Sequence, residues 1–207
     1  MFSYEFARPA VTVDLVTFAV RDDALTVLLI ERPEEPFKGT WTLPGGFVHD
    51  REPLEATALR VLASKADLGE VFREQLFTFG DPDRDPRDRV LSVAYLAALA
   101  SDHGYDGPAT WFRVDELPEL GFDHRKIVDV AVERLRGKLS YTGIGLEFMP
   151  AEFTLGELQK SWEAVLDKPL DKRNFRKSIV ARELVVATSR KSRGGAHPRA
   201  RLYRRRV

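Results

Sequence analysis

Apolar and polar positions along the first half of the chain follow the short runs that are typical of β-strands. The runs at 11–20 and 25–30 are rich in Val, Leu and Thr and are separated by four mostly charged residues, which predicts a β-hairpin. Similar runs predict further strands at 75–79, 90–96 and 109–112.

Two other stretches repeat apolar residues at intervals of three and four, which is the period of an amphipathic helix. The first runs from Leu54 to Leu62 and the second from Ile127 to Leu135. Strands and helices therefore alternate irregularly along this part of the chain. Such an order predicts an α+β fold in which a mixed sheet packs between helices.

The last quarter of the chain has a different pattern. Thr154 and Glu157 have the spacing of a capping box, and apolar residues then line one face of the following helix. Asp171 is a suitable cap for a second short helix. Two β-rich runs at 184–188 and 201–204 enclose a loop rich in Arg and Lys. This order of helix, turn, helix and basic hairpin predicts a small winged helix-turn-helix domain.

The charge of the chain changes at nearly the same place. Residues 1–150 contain 17 Lys and Arg against 26 Asp and Glu, a net charge of −9, whereas residues 151–207 contain 15 against 6, a net charge of +9. A compact basic domain attracts DNA because neutralised phosphates release condensed counterions. The helical pattern favours such a domain over a solvated basic tail. We therefore expect two domains, 1–145 for a small ligand and 146–207 for DNA.

Composition excludes several other classes of protein. The chain has no Cys, so disulfides, thiolate zinc sites and cysteine nucleophiles are excluded. No apolar run approaches the roughly 20 residues that span a bilayer, and the first residues lack the features of a signal peptide. We expect a soluble cytoplasmic protein without a membrane partner.

The segment that follows the predicted glycine turn resembles the Nudix box, G-x5-E-x7-R-E-U-x-E-E-x-G-U, where U is a bulky aliphatic residue. Gly46, Glu52 and Arg60 occupy its first three fixed positions, and Leu62 occupies the aliphatic one. The resemblance implies a Nudix-type α/β/α sandwich with a mixed sheet for the first domain.

The metal-binding half of the box is missing. Active members of the family hold magnesium with three glutamates on one helix face, and these positions are Val61, Ser64 and Lys65 here. None of the three side chains is a ligand for a hard cation, and Lys65 brings an ammonium close to where the cation would sit. We therefore expect no catalytic residue, no metal site, no cofactor and little or no hydrolysis.

The segment GDPDRDPRDR at 80–89 resembles a motif typical of Nudix proteins that handle ADP-ribose. Arginines match phosphate oxygens with two parallel hydrogen bonds, and prolines reduce the entropy lost on binding. The alternative is a solvated loop held by its own salt bridges. Adjacent to a Nudix-type box, the ligand-binding interpretation is favoured.

Other candidates complete the ligand site. One arginine ends the second strand, where it either faces the nucleotide or forms a salt bridge at the rim, and two glycines form the turn before the box. Two aromatic residues have the chemistry to stack an adenine, although aromatic residues on strands more often belong to the core. The ligand-binding candidates are Arg32, Trp41, Gly45, Gly46, Phe79, Asp81, Arg84, Asp85, Arg87 and Arg89.

The second short helix of the basic domain begins with a cluster of side chains that suit DNA. Recognition helices read base edges with their N-terminal residues, and the wing reaches the backbone or the minor groove. Arg173 suits guanine and Asn174 suits adenine, whereas the lysines and other arginines suit phosphates. The DNA-binding candidates are Lys172, Arg173, Asn174, Arg176, Lys177, Arg190, Lys191, Arg193, Arg199 and Arg201.

The combination resembles the Nudix-related transcriptional regulators of bacterial NAD metabolism, the NrtR-type family. The strings FDH at 122–124, EFTLGELQ at 152–159 and PLDKRNFRK at 169–177 also fit this family. The resemblance implies a homodimeric repressor of NAD biosynthesis or salvage genes that binds palindromic operator DNA. It also implies that ADP-ribose or a related nucleotide releases the DNA.

Two other functions stay open at this point. One is a magnesium-dependent ADP-ribose or nucleoside-diphosphate pyrophosphatase with an accessory basic domain, against which the missing carboxylates argue. The other is a metabolite-binding adaptor that does not contact DNA.

Overall fold

The structure, a computed structural model, describes residues 8–69, 71–192 and 199–206. These residues form two compact units. The first unit contains the described residues up to 18 together with those of 27–97 and 105–132. The second contains those of 19–26, of 98–104 and from 133 onward.

The first unit consists mainly of strands, whereas in the C-terminal segment two helices precede two strands. The strands are β1 (Ala10–Arg21), β2 (Ala24–Glu31), β3 (Trp41–Thr42), β4 (Gly45–Phe47), β5 (Phe72–Phe79), β6 (Val90–Ala98), β7 (Thr110–Arg113), β8 (Val185–Lys191) and β9 (Arg201–Arg205). The helices are α1 (Leu54–Ala66), α2 (His124–Leu139), α3 (Leu155–Leu166) and α4 (Lys172–Ala181), with short 3-10 helices at Val114–Glu116 and Ile144–Phe148. In the part of the chain described here, no helix has both the length and the apolar character needed to cross a membrane.

The main sheet has the strand order β3-β2-β1-β6-β5, with β4 paired to β1 and β7 paired to β2. Its central strands are apolar and buried, as Leu15, Val16 and Phe18 of β1 illustrate. The predicted hairpin is present, because β1 and β2 are neighbours and the turn residues Asp22 and Asp23 have φ of 50° and 57°. Two consecutive positive φ angles match the right-handed twist of the flanking strands. The predicted α+β class is confirmed.

The C-terminal segment contains the predicted helix, turn, helix and hairpin. The Thr154 side chain accepts a hydrogen bond from the Glu157 amide at 3.1 Å, and the Glu157 carboxylate accepts one from the Thr154 amide at 2.6 Å, which completes the capping box of α3. Asp171 caps α4 by accepting from the Asn174 amide at 2.8 Å. β8 and β9, which follow these helices in the sequence, pair with each other in antiparallel orientation.

Packing between the two helices of this domain comes from a few large apolar side chains. Trp162 of α3 packs edge-on against Phe175 of α4, with ring centroids 5.4 Å apart. Leu158 and Ile179 are fully buried beside them. Because Phe175 and Ile179 lie four residues apart, they define one inward face of α4 and leave the opposite face to solvent.

Candidate functional site

A pocket with a volume of about 270 Å³ lies in the first unit. Its described walls come from β1, β2 and β4, from the segments 32–34 and 84–87, from Lys65 of α1, and from Phe122 and His124. Charged side chains such as Arg87 and Lys65 and aromatic rings such as Phe47 and Phe122 both line it, so the pocket suits a ligand that carries both charge and a ring.

Six of the ten predicted ligand-binding residues line this pocket. They are Arg32, Gly45, Gly46, Arg84, Asp85 and Arg87. The sequence therefore identified the glycine turn and the arginine-rich loop as parts of one site, although they lie about forty residues apart.

The other four predicted residues are absent from the described lining. Trp41 packs edge-on against Phe112 at 4.7 Å. Phe79 is buried in the core, which removes its ring from any ligand. The Arg89 guanidinium donates to the backbone carbonyl of Asp81 at 3.2 Å, so these two residues stiffen the loop from its ends. Stacking of an adenine on Trp41 or Phe79 therefore finds no support in the observed geometry.

Two aromatic rings that the sequence reasoning did not assign form a wall of the pocket. Phe122 lies beneath two guanidinium groups, with the Arg32 carbon 5.0 Å and the Arg87 carbon 5.6 Å from its ring centroid. The Arg87 carbon is also 5.6 Å from the ring centroid of Phe47, which is 44% exposed. Faces of aromatic rings attract cations and stack on nucleobases. The FDH string pointed to the segment but did not reveal that its first ring faces the pocket.

A buried charged cluster forms the floor of the pocket. The Arg84 side chain is 3% exposed and forms two hydrogen bonds to Asp123, at 3.0 and 2.7 Å. A second carboxylate, that of Asp14, lies 3.7 Å from the same guanidinium. Because the Asp123 carboxylate occupies the forked donors of Arg84, this arginine holds the loop against the start of α2 and is not free for a phosphate.

The neighbouring arginine has a different environment. The Arg87 side chain is 41% exposed and forms hydrogen bonds of 3.0 and 2.7 Å to the buried carboxylate of Asp85. These bonds hold the pKa of the Asp85 carboxyl below its ordinary value. Asp85 thus orients Arg87, and the exposed edge of this guanidinium remains available to a ligand.

The glycine turn is required by the close approach of β4 to β1. Gly45 lies opposite Asp14, and a Cβ atom at Gly45 would stand 2.0 Å from the Asp14 carboxylate. Asp14 is itself fixed, because its carboxylate accepts a hydrogen bond from the Ser92 hydroxyl. Any side chain at Gly45 would therefore push a buried carboxylate out of place.

The helix face that carries the metal ligands in active Nudix enzymes does not fit magnesium. Val61 is buried beneath Gly46, with its methyl group 3.2 Å from where a Cβ of Gly46 would stand. Ser64 is exposed, and Lys65 lines the pocket. Among the residues that the structure describes, no three His, Asp or Glu side chains are close enough to hold a metal ion.

Glu52, a glutamate of the Nudix box that this chain retains, has a structural role. Both oxygens of Glu52 accept hydrogen bonds of 2.7 Å from the Arg60 guanidinium, and one also accepts from the Thr57 hydroxyl at 2.8 Å. The Arg60 hydrogen bonds hold the pKa of the Glu52 carboxyl far below its ordinary value, with a further contribution from the His49 amide. Glu52 therefore ties the loop to α1 as a permanent anion.

His124 is buried beside this cluster as a neutral ring. Its Nδ1 accepts a hydrogen bond from the Leu43 amide at 2.9 Å, so the proton resides on Nε2. Nε2 lies 3.8 Å from the Asp14 carboxylate. The ring therefore joins the start of α2 to the segment before the glycine turn.

Acid is expected to destabilise the folded protein through His124. Burial lowers the pKa of His124 and Arg84 and Arg32 add to this effect, whereas the Asp14 and Asp123 carboxylates oppose it. Below pH about 6.5 the unfolded chain binds a proton that the folded ring does not, so the free energy of unfolding falls by up to about 1.4 kcal/mol per pH unit. Urea titrations of the wild type and of His124→Asn, from about pH 7.5 to 5.5, measure this slope. Parallel pH profiles of the two proteins would contradict it.

The predicted DNA-binding side chains of α4 all face solvent. Lys172, Arg173, Asn174, Arg176 and Lys177 are exposed. Phe175, between them in the sequence, is 6% exposed. The basic residues therefore occupy the face of α4 opposite its packed side, which is the arrangement of a recognition helix.

The predicted wing residues lie on β8, on β9 and beside them. Lys191, Arg199 and Arg201 are exposed, and Lys191 is paired with Arg201 across the two strands. The Arg190 guanidinium forms an ion pair with Glu152 at 2.8 Å, so its charge is partly neutralised. Arg193 lies outside the described residues.

Further arginines follow on β9 that the sequence reasoning did not include. Arg204 is exposed, whereas Arg205 is paired with Glu147 and Arg206 with Glu183. The run of three arginines at 204–206 was the signal in the sequence that could have added Arg204 to the basic surface.

Two family models match the chain. The NUDIX domain model matches residues 9–130, and the model of the NrtR DNA-binding winged helix domain matches residues 145–205. The predicted order of a Nudix-type domain and a winged helix-turn-helix domain is therefore confirmed.

A transcriptional repressor and a protein crystallised with DNA are among the relatives that match nearly the whole chain. The ADPR responsive transcriptional repressor NtrR of Acinetobacter baylyi is 34% identical over 97% of this chain and 83% of its own length. Shewanella oneidensis NrtR, crystallised with a 27mer DNA, is 35% identical, with a TM-score of 0.85 over 95% of this chain and 93% of that chain. The Nudix domain of the Shewanella protein, crystallised with ADP ribose, is 37% identical, with a TM-score of 0.55 over 63% of this chain and 90% of that chain.

A similarity to an enzyme covers the first part of the chain. The ADP-ribose pyrophosphatase of Methanocaldococcus jannaschii is 35% identical over 59% of this chain and 73% of its own length. The Acinetobacter repressor and the DNA-bound Shewanella protein match through the basic C-terminal segment as well, and the predicted family is confirmed. This chain thus belongs to the NrtR family of transcriptional regulators, with a Nudix domain followed by the NrtR DNA-binding winged helix domain.

Proposed function

We propose that this protein is a transcriptional repressor of NAD biosynthesis or salvage genes and that ADP-ribose, or a related nucleotide, releases it from operator DNA. It acts in the cytoplasm as a homodimer on a palindromic operator. Residues 1–145 bind the nucleotide and residues 146–207 bind DNA. The DNA and ADP ribose held by the Shewanella relative support both halves of the proposal.

The observation that carries the proposal is the chemistry of the pocket. Arg32, Arg87 and the ring of Phe122 lie against one another in the lining, so positive charge and aromatic surface occur together there. A nucleotide needs both, because its phosphates attract guanidinium groups and its base stacks on rings. The helix positions that hold magnesium in Nudix hydrolases carry Val61 and Lys65 instead. Such a pocket is suited to hold a nucleotide without cleaving it.

The second half of the proposal rests on the solvent face of α4. We assign base contacts to Arg173 and Asn174, whose side chains match guanine and adenine in the major groove. Phosphate contacts are assigned to the other basic residues, which are Lys172, Arg176, Lys177, Arg190, Lys191, Arg193, Arg199 and Arg201.

Release follows if the nucleotide prefers the dimer state that does not fit the operator. The two half-sites of such operators are separated by about one helical turn, roughly 34 to 36 Å, so the two recognition helices tolerate little misplacement. A coupling of about 1 to 3 kcal/mol between ligand and DNA changes operator affinity about 5- to 150-fold.

The proposal is tested by titrating a fluorescent duplex from the region upstream of the protein's own gene, with random duplex as competitor. ADP-ribose is expected to weaken specific binding of the wild type about 5- to 150-fold. Phe122→Ala is expected to bind the duplex normally but to need about tenfold more ADP-ribose for release, because it loses a stacking surface.

Phe77→Ala is the matched control, because this ring is 56% exposed on β5 and lies outside the described lining of the pocket. Specific binding that ignores ADP-ribose would remove the proposed effector, and absence of specific binding would favour the adaptor. Cleavage of ADP-ribose with magnesium at about 1 to 1000 turnovers per second would favour the pyrophosphatase instead.

A further inference from the structure

We propose that the Lys65 ammonium replaces the divalent cation of Nudix hydrolases, so that this pocket binds a nucleoside diphosphate group without magnesium. The proposal deepens the proposed function and rests on it for the identity of the nucleotide. It assigns a ligand-binding role to Lys65, which stands where the Nudix box has a glutamate.

Position is the first argument. Lys65 lies in the last turn of α1 and contributes to the pocket wall, together with Gly45, Gly46 and Arg87. Val61 lies one helical turn earlier, directly beneath Gly46. Residues four apart share one face of a helix, so the face that bears the metal ligands in the enzymes faces the pocket here also.

Charge balance is the second argument. Of the cations in the described lining, Arg84 is paired with Asp123 and Arg87 with Asp85. The Arg32 guanidinium donates to the backbone carbonyls of residues 36 and 35. No described carboxylate forms an ion pair with Lys65, so its charge is available to a ligand. A diphosphate would supply the missing anion.

The chemistry of the ammonium is the third argument. Lysine is a compact point charge with three donors and binds phosphates widely. Magnesium instead requires oxygen ligands in octahedral geometry, and among the described residues no three His, Asp or Glu side chains are close enough to hold a metal ion. An added magnesium ion would also neutralise the diphosphate in solution and reduce its attraction to Lys65.

The test is calorimetric titration of the full chain with ADP-ribose, in a buffer with EDTA and in one with excess magnesium chloride. The wild type is expected to bind no more tightly with magnesium than without it. Lys65→Gln is expected to bind about tenfold more weakly in both buffers, because it loses a charge-assisted bond to phosphate. Lys126→Gln is the matched control, since Lys126 is exposed on α2 and lies outside the described lining.

The reversed charge gives a second readout. Lys65→Glu is expected to lose affinity in EDTA and to regain part of it with magnesium, because magnesium is commonly held by one or two carboxylates together with substrate phosphates. This gain cannot arise from a misfolded variant.

Tighter binding of ADP-ribose by the wild type with magnesium, or normal binding by Lys65→Gln, would overturn the proposal. A second series with ADP separates this failure from that of the proposed effector. If ADP shows the dependence on Lys65 and ADP-ribose does not bind, the inference stands and the effector is wrong. If neither nucleotide binds, both are wrong.

Discussion

Simultaneous replacement of Arg173 and Asn174 by alanine is expected to reduce operator affinity by at least about 30-fold, because each good base contact contributes about 1 to 3 kcal/mol. Both residues are exposed in the first turn of α4, immediately after the cap at Asp171. Neither side chain contributes to the packed face formed by Phe175 and Ile179. The variant should therefore fold normally and bind ADP-ribose as the wild type does.

The measurement is a competition titration with operator and random duplexes at fixed salt concentration. Loss of base contacts should reduce operator binding far more than random binding, since random binding depends on phosphates. Arg51→Ala is the control for the change in net charge, because the Arg51 side chain is 93% exposed in the acidic domain. Equal losses on both duplexes would show that these residues contact only the backbone.

Replacement of Arg84 by methionine is expected to lower the free energy of unfolding by about 3 to 5 kcal/mol, because it leaves a buried carboxylate cluster without its cation. The Arg84 side chain is 3% exposed and forms two hydrogen bonds to Asp123, while Asp14 lies 3.7 Å away. Methionine has a similar length, so the loss comes from charge and not from volume. Urea unfolding followed by circular dichroism measures the effect.

Two further variants isolate the cause. Asp123→Asn added to Arg84→Met should restore part of the loss, because it removes one of the unpaired charges. Arg125→Met breaks an exposed pair with Asp129, in which both side chains are more than half exposed, and should change stability by less than about 1 kcal/mol. Equal effects at Arg84 and Arg125 would contradict the buried cluster as the source of stability.

Local patterns in the sequence were sufficient for several of the helix caps and turns and for the exposure of the basic residues of α4. The capping box of α3, the Asp171 cap of α4 and the β1-β2 hairpin each depend on residues within a few positions of one another. The four-residue spacing of Phe175 and Ile179 is that of one helix face, and both are buried, whereas Arg173 is exposed. These features depend only on residues that are close together in the sequence, so they can be predicted from it.

The ligand pocket was only partly predictable because its chemistry depends on long-range packing. Arg84 and Arg87 occur in the same loop with the same composition around them, yet the first is 3% exposed and the second 41% exposed. The partner that distinguishes them, Asp123, lies 39 residues further along the chain. Nor does the sequence state which aromatic ring faces the pocket, since Phe79 is buried in the core and Phe122 lines the wall.

At Phe122, the backbone conformation and the side chain favour different residues. Its backbone has a φ of 58°, in the left-handed region that costs a residue with a Cβ atom about 1 kcal/mol or more. Glycine or asparagine would relax this backbone. Either replacement would, however, remove the ring that lies beneath Arg32 and Arg87 and packs against Phe37. Under the proposed function, a variant with a relaxed backbone would stay on its operator until the nucleotide reached about tenfold higher concentration.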